Sequence, residues 1–187
     1  MEIVIKPLSS DTLEDYLLFF DNISFTENPD WSICYCYSYH FVGTKEQWNR
    51  ESNRSGVIRL VNENKMKGYL AYHNNTPVGW CNVNDRQNYQ RLLEYYDLID
   101  NPDDKVCSVV CFLMHPDYRR KGIAQKILER ICKDYSTRNY DFIEAYPGKG
   151  NLSCERHYKG PLELYEKFDF KIEKEYDDYY VVRKKFI

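Results

Sequence analysis

The most constraining feature of the sequence is an apolar run that passes, through a short basic turn, into an amphipathic helix. Val106–Met114 reads VCSVVCFLM, which is almost wholly apolar and is typical of a strand covered on both faces. Pro116 ends this run. Over Gly122–Tyr135, apolar residues recur at helical spacing and the opposite face is charged. The pattern predicts a sheet with a helix packed on it.

The rest of the chain has no repeat and no low-complexity linker, so we expect one domain over residues 1–187. The remaining elements are short and are separated by turn residues. The expected strands are Glu2–Lys6, Gly68–His73, Pro77–Asn84, Asp141–Tyr146, Phe170–Glu175 and Tyr179–Lys185, and the expected helices are Ser10 or Asp11 to Phe20, Lys45–Asn64 with a break near Ser55–Gly56, Gln90–Leu98 and Pro161–Phe168.

Charge and hydropathy exclude several classes of function. No stretch approaches the roughly 18 uncharged apolar residues that a membrane span needs. The first residues, MEIVIKPLSSDTLED, lack the basic start and apolar run of a signal peptide. A net charge of -3 argues against nucleic acid as a partner, because a phosphate backbone requires a basic face. We therefore expect a cytoplasmic protein with neither a membrane nor a nucleic-acid partner.

Seven cysteines are scattered along the chain. Their number is odd, there is no CxxC pair, and Cys34-Tyr35-Cys36 does not have the ligand spacing of a zinc knuckle. We expect free thiols and no bound metal.

The basic turn between the buried strand and the helix is the segment most suited to binding a ligand. The first backbone N–H groups of a helix have no partner inside it, and the helix dipole adds positive potential there. Gly122 lets a ligand approach the backbone, and the cationic residues Arg119, Arg120 and Lys121 precede it. The turn therefore predicts an anion site suited to a pyrophosphate. It is neither a Walker loop nor a dinucleotide fingerprint, because GxxxxGK[ST] and GxGxxG are both absent.

Several segments resemble one known family. Met114–Ala124 reads MHPDYRRKGIA and resembles motif A of the GNAT acetyltransferase superfamily, whose signature is Q/R-x-x-G-x-G/A. Leu164–Phe170, LYEKFDF, is similar to the family's L-Y-x-x-x-G-F segment. Glu144–Pro147 and Tyr158–Leu162 resemble a poorly characterised bacterial branch of the same superfamily.

The resemblance implies a fold, a cofactor and a reaction. The implied fold is α+β: a mixed, mostly antiparallel sheet of six or seven strands with helices on both faces. The implied reaction moves an acetyl group from acetyl-CoA to a primary amine, on a small molecule or a peptide, by direct attack. The implied cofactor-binding residues are Phe112, Leu113 and Met114, whose backbone pairs with the pantetheine arm, and Arg119, Arg120, Lys121, Gly122, Ile123, Ala124 and Gln125, which hold the pyrophosphate.

One side chain receives a chemical role from the resemblance. Tyr165 corresponds to the tyrosine that protonates the departing CoA thiolate, and a phenol is protonated at neutral pH. With 18 tyrosines in the chain, packing is its alternative role. Asp169 departs from the family pattern, which has Gly at a turn position of positive φ, but Asp tolerates that conformation.

Other roles remain open at this stage. Lys105–Met114 contains no carboxylate to act as general base, which leaves Glu144, His115 or an ordered water. The aromatic segment Trp31–Phe41 either completes the core or lines the acceptor pocket.

Two alternatives concern the whole reaction. Cys34, Cys36 and Cys111 are weaker candidates to carry an acyl group, since the sequence places no histidine beside them. A non-catalytic acyl-CoA sensor is the alternative function, because motif A serves both classes.

Overall fold

A computed structural model describes residues 1–95, 101, 103–153 and 156–186. Its centre is a seven-stranded sheet in the order β1-β2-β3-β4-β5-β7-β6. Neighbouring strands are antiparallel except β4 and β5, which run parallel, so the mixed, mostly antiparallel sheet is confirmed. The strands are β1 (Val4–Pro7), β2 (Gly68–His73), β3 (Thr76–Asp85), β4 (Val106–Met114), β5 (Phe142–Ala145), β6 (Lys171–Glu175) and β7 (Tyr180–Lys185).

Helices cover both faces of the sheet, as expected. Apolar residues of α1 and α2 pack in one core cluster with Trp80 of β3, and those of α4 and α5 pack in another cluster on the opposite face. Short 3-10 turns connect several of these elements. The helices are α1 (Leu13–Leu18), α2 (Arg50–Asn62), α3 (Gln90–Tyr95), α4 (Ile123–Tyr135) and α5 (Leu162–Glu166).

The alternation of side chains along β2 explains the two clusters. Tyr69 and Ala71 point to the face that α4 covers, whereas Leu70 and Tyr72 point to the face that α1 covers. Successive residues of a strand face opposite sides of a sheet, so a strand that is apolar throughout must be covered twice. The same argument applies to β4, whose first five residues are all buried.

The expected break in the second helix is wrong. Residues 55 and 56 lie inside α2, and the interruption comes earlier, where a 3-10 turn at Lys45–Gln47 gives way to a cap at Asn49. The Asn49 side chain accepts a hydrogen bond from Ser52 N at 3.0 Å and starts the helix there. Gly56 is required for close packing, because a Cβ on it would lie 2.6 Å from Cζ of Tyr37.

The expected helix Gln90–Leu98 is observed as far as Tyr95, and residues 96–98 lie outside the described part of the chain. No described helix is both long enough and apolar enough to cross a membrane.

Candidate functional site

The sheet opens between its two parallel strands. β4 pairs with β5 only from Val106↔Phe142 to Val109↔Ala145, yet β4 continues for five more residues to Met114. On its other side β4 remains paired with β3 as far as Met114↔Gly79. The last residues of β4 therefore present a backbone edge to a gap that opens in the middle of the sheet.

A cavity of about 1110 Å³ lies at this opening. One of its ends is formed by β4 and by the turn that precedes α4. Of the predicted cofactor-binding residues, Lys121 does not line the cavity. It is exposed, and its ammonium lies 5.3 Å from the centre of the Tyr118 ring. The predicted residues that do line the cavity are Phe112, Leu113, Met114, Arg119, Arg120, Gly122, Ile123, Ala124 and Gln125.

The turn before α4 has the backbone geometry of an anion site. Arg120 and Gly122 both adopt left-handed conformations, with φ of 60° and 75°. The first amide of α4 to bond inside the helix is Lys126 N, which donates to Gly122 O at 3.1 Å. The amides of residues 123–125 therefore precede the helical hydrogen-bond ladder and point to the N-terminal end. A concave row of N–H groups at a helix start attracts a phosphate.

Another part of the cavity wall is formed by the segment between α1 and α2. Trp31, Cys34, Cys36 and Tyr39 line it, whereas the rings of Tyr35 and Tyr37 belong to the core. The aromatic segment Trp31–Phe41 thus has both of the roles that were alternatives in the sequence: part of it completes the core and part of it lines the cavity.

Acidic side chains also reach this cavity from the same segment. Glu27 accepts a hydrogen bond from Nη1 of Arg119 at 2.5 Å and so joins this segment to the basic turn. Asp30 lines the cavity and is exposed to solvent.

Tyr165 lies beside the cavity, in the core. It is fully buried, and its hydroxyl donates a hydrogen bond to the backbone oxygen of Lys159. Burial raises the pKa of its phenol well above the usual value, so the group keeps its proton. Gly160, which has φ of 80°, packs against the Tyr165 ring and itself lines the cavity. The phenol proton of Tyr165 is thus separated from the cavity by the Lys159–Gly160 backbone.

Asp169, at the end of the same segment, has φ of 64°. The left-handed turn that the family pattern requires is therefore made here by an aspartate, as the sequence predicted.

Neither candidate base lines the main cavity. Glu144 is fully buried, and its carboxylate accepts hydrogen bonds from the Tyr146 hydroxyl and from Nε of Arg183, the latter at 2.5 Å. Arg86 lies 3.7 Å from the same carboxylate. His115 lines a separate cavity of about 300 Å³, where its Nδ1 accepts a hydrogen bond from the backbone N–H of residue 117.

These contacts predict a structural role for Glu144. In Glu144→Gln the carboxylate that compensates two buried guanidinium groups is lost, so we expect the free energy of unfolding to fall by about 3–5 kcal/mol. Denaturant titration measures this loss. Turnover per folded molecule is expected to stay unchanged, and a drop in turnover without a loss of stability would instead identify Glu144 as a base.

Sequence reasoning named Cys36 and Cys111 as candidates to carry an acyl group but missed the side chains that surround the Cys36 sulfur. Asn82 on β3 donates through Nδ2 to the backbone oxygen of Cys36 at 3.1 Å and reaches its sulfur at 3.5 Å. Nε1 of Trp80 is buried and meets no acceptor with full hydrogen-bond geometry, but it is close enough to this sulfur to act on its pKa. Cys111 on β4 contacts the same sulfur.

The three cysteines of this region differ in acidity. Burial acts to raise the pKa of Cys36, but the neighbouring donor groups of Cys111, Trp80 and Asn82 together outweigh it, and the pKa lies below its usual value. The hydrogen bond to Cys36 and burial raise the pKa of Cys111. Burial raises that of Cys34 to about 11. Of the three thiols, that of Cys36 thus has the lowest pKa.

Six cysteines lie in the described part of the chain, and all six are unpaired; Cys154 lies outside it. Over the same residues, no group of three or more His, Cys, Asp or Glu side chains is arranged to hold a metal ion.

Comparison with known proteins was made on both sequence and structure. Residues 25–170 match the family described as "Acetyltransferase (GNAT) family". No curated protein gives a significant match.

Solved structures share the fold at low identity. PaiA N-acetyltransferase from Thermoplasma acidophilum, in complex with coenzyme A, is 17% identical, with a TM-score of 0.56 over 99% of each chain. An N-acetyltransferase from Staphylococcus aureus Mu50 is 13% identical, with a TM-score of 0.59 over 100% of each chain. The ribosomal-protein-S18-alanine N-acetyltransferase from Escherichia coli is 11% identical, with a TM-score of 0.55 over 99% of this chain and 94% of that one.

Proposed function

Because the chain belongs to the GNAT acetyltransferase family and is therefore an acyltransferase, we propose that it transfers the acetyl group of acetyl-CoA to a primary amine of a small molecule or a peptide. The observation that carries this proposal is the single cavity that joins the anion-binding turn, the unpaired end of β4 and the aromatic segment. In this proposal the turn binds the phosphates of the cofactor, the end of β4 binds its thioester arm, and the aromatic segment binds the acceptor.

The basic turn supplies the phosphate site in this proposal. The amides of residues 123–125 and the left-handed bends at Arg120 and Gly122 form a concave site for the pyrophosphate. Arg119 and Arg120 add positive charge, although Glu27 neutralises part of the charge of Arg119.

The thioester arm follows the free edge of β4. Among the described residues, the backbone of residues 112–114 has strand partners on the β3 side only, so an amide-containing chain that enters the gap bonds to it as an added strand does.

Tyr165 is the proton donor in this proposal. Its phenol keeps its proton because of burial, and a hydroxyl can turn from the Lys159 oxygen to a thiolate that arrives within reach. The move requires the backbone at residues 159–160 to yield when the cofactor binds.

The direct test is a screen of primary amines for release of CoA, with acetyl-CoA and longer acyl-CoAs as donors. We expect turnover with acetyl-CoA for at least one amine class. Tight CoA binding without turnover on any amine would contradict the proposal and favour the sensor.

A cationic amine is expected to depend on Asp30. Asp30→Asn removes one negative charge from the cavity, so KM for the amine is expected to rise by about threefold to tenfold while kcat is maintained. The rise shrinks at high salt, because exposed charges are screened. Asp11→Asn, an exposed aspartate outside the cavity lining, is the matched control. Equal KM values in the two variants would remove Asp30 from acceptor recognition.

A further inference from the structure

His157 lies at the main cavity and has no part in the roles described so far. All four histidines of the chain are in its described part, and His157 is the one that lines this cavity. Its Nδ1 is buried and, over the described residues, has no hydrogen-bond partner. Leaving such an atom unpaired costs about 1–3 kcal/mol. The imidazole is thus held at the cavity without a protein contact that explains its position there.

The backbone around His157 places it beside the path of the thioester. It belongs to the 3-10 turn Arg156–Lys159, which packs against β4, the strand assigned to the thioester arm. Two hydrogen bonds hold this turn: His157 N donates to Ser153 O at 3.2 Å, and Gly160 N donates to His157 O at 2.8 Å. The backbone of His157 departs from helical geometry, with φ of -78° and ψ of 21°. A short, irregular turn therefore carries the ring.

The same turn accepts the hydrogen bond of Tyr165. The Tyr165 hydroxyl donates to the backbone oxygen of Lys159, which follows His157 closely in the chain. Gly160, at the end of the turn, packs against the Tyr165 ring and lines the cavity together with His157. A shift of the turn that frees the Tyr165 hydroxyl would therefore move the imidazole as well. One short segment of backbone links a group that can give a proton to a group that can take one.

An imidazole supplies the chemistry that direct attack needs. An aliphatic amine is an ammonium near neutral pH, and it has no lone pair for the thioester until it loses a proton. Neutral imidazole has one N–H and one lone pair, and histidine is the side chain that most often acts as a general base. Glu144 is bonded to Arg183, and His115 lines a separate cavity, so neither is placed for this step.

We propose that His157 is the general base, which takes a proton from the ammonium form of the acceptor so that the neutral amine can attack acetyl-CoA. This inference rests on the proposed function and retains its direct attack. The amine nitrogen forms a bond to the thioester carbonyl carbon, and the bond from that carbon to the CoA sulfur breaks.

The protons balance without a further reactant. An ammonium group has three protons, of which the amide nitrogen keeps one. Another goes to the imidazole of His157, which later releases it to water. Tyr165 gives its proton to the departing CoA thiolate, and the remaining proton of the amine returns to the Tyr165 oxygen. His157 and Tyr165 thus divide the two proton transfers between them.

The test compares two asparagine variants, with acetyl-CoA and the primary amine that gives the fastest turnover in the screen. His157→Asn keeps a polar atom near the position of Nδ1 but cannot hold the proton, so kcat near neutral pH is expected to fall about 10²–10⁴-fold. His115→Asn keeps an acceptor for the backbone N–H of residue 117 and is expected to retain kcat. Both variants are expected to bind CoA with wild-type affinity in calorimetry.

Two further readouts distinguish a base from a residue that only supports the turn. The loss in kcat of His157→Asn is expected to shrink as the pH rises toward the pKa of the amine, since the amine then loses its proton unaided. In His157→Ala, which leaves space where the ring was, imidazole added to the solution is expected to raise kcat at least about tenfold. A structural role predicts the same loss at every pH and no response to imidazole.

The outcomes distinguish the base from the proposed function. If the wild-type protein acetylates the amine and His157→Asn retains kcat, or loses it equally at every pH, the base is overturned and the proposed function remains. If the wild-type protein binds CoA but acetylates no amine, both are overturned. If His157→Asn fails to bind CoA, the response of His157→Ala to imidazole decides, and no rescue overturns the base.

Discussion

Gly122→Val is expected to lower the affinity for CoA by at least about 100-fold, or ~2.7 kcal/mol. Gly122 has φ of 75°, a conformation that a β-branched residue adopts only with strain. A Cβ at this position meets no protein atom within 4 Å, so it projects into open space at the start of α4. The added valine methyl groups would occupy the approach of the phosphate to the backbone amides.

Lys126→Ala is the control for this variant. Lys126 lies in the first turn of α4, is exposed and does not line the cavity, and alanine is a good helix former. Its removal is expected to leave CoA affinity nearly unchanged in calorimetry. A thermal melt confirms that Gly122→Val is folded at the temperature of measurement, and full CoA affinity in the folded variant would refute the phosphate site.

Tyr165→Phe is expected to lower kcat by about 10²–10⁴-fold, or ~3–5 kcal/mol, because general acid catalysis of thiolate departure is lost. The ring and its contact with Gly160 remain, so CoA affinity is expected to be nearly unchanged. The loss in kcat is expected to shrink as the pH rises toward the pKa of the CoA thiol, since a thiolate that leaves unaided needs no acid.

A purely structural role of Tyr165, through its hydrogen bond to Lys159, predicts a different result from a catalytic role. If the hydroxyl serves only to hold the 156–160 turn, Tyr165→Phe loses about 1 kcal/mol of stability and retains kcat. Measuring kcat on a confirmed substrate together with the free energy of unfolding distinguishes these outcomes. Full turnover in the variant would leave Tyr165 as a packing residue.

Most strands and helices could be predicted because the patterns that define them, an apolar run or helical spacing, lie within one short segment of the chain. Val106–Met114 is continuously apolar and was expected as a strand over the same residues that form β4. α4 follows from helical spacing, and its start follows from the glycine that ends the basic turn. The break expected at residues 55 and 56 failed because a glycine inside α2 is retained for packing against Tyr37, a contact that no local pattern contains.

The site could be predicted only where neighbours in the chain form it. The basic turn is one continuous segment, and its residues other than Lys121 line the cavity together. The Cys36 cluster joins Cys36 to Asn82, 46 positions away, and to Cys111, because these residues are brought beside it by the pairing of β3 with β4. The burial of Tyr165 depends on its packing among residues of several strands and helices, so its motif identifies the residue but not its access to the cavity.

The opening between β4 and β5 has a consequence for the lifetime of the folded protein. An interior strand edge without a partner invites pairing with other chains, as exposed sheet edges do. In the proposed function the cofactor fills this gap as a missing strand would, and at a concentration 100 times its Kd it would add about 2.7 kcal/mol to the stability of the native state. Resistance to proteolysis and to aggregation would then rise and fall with the supply of acetyl-CoA, which would make starvation for the cofactor a route to removal of the enzyme itself.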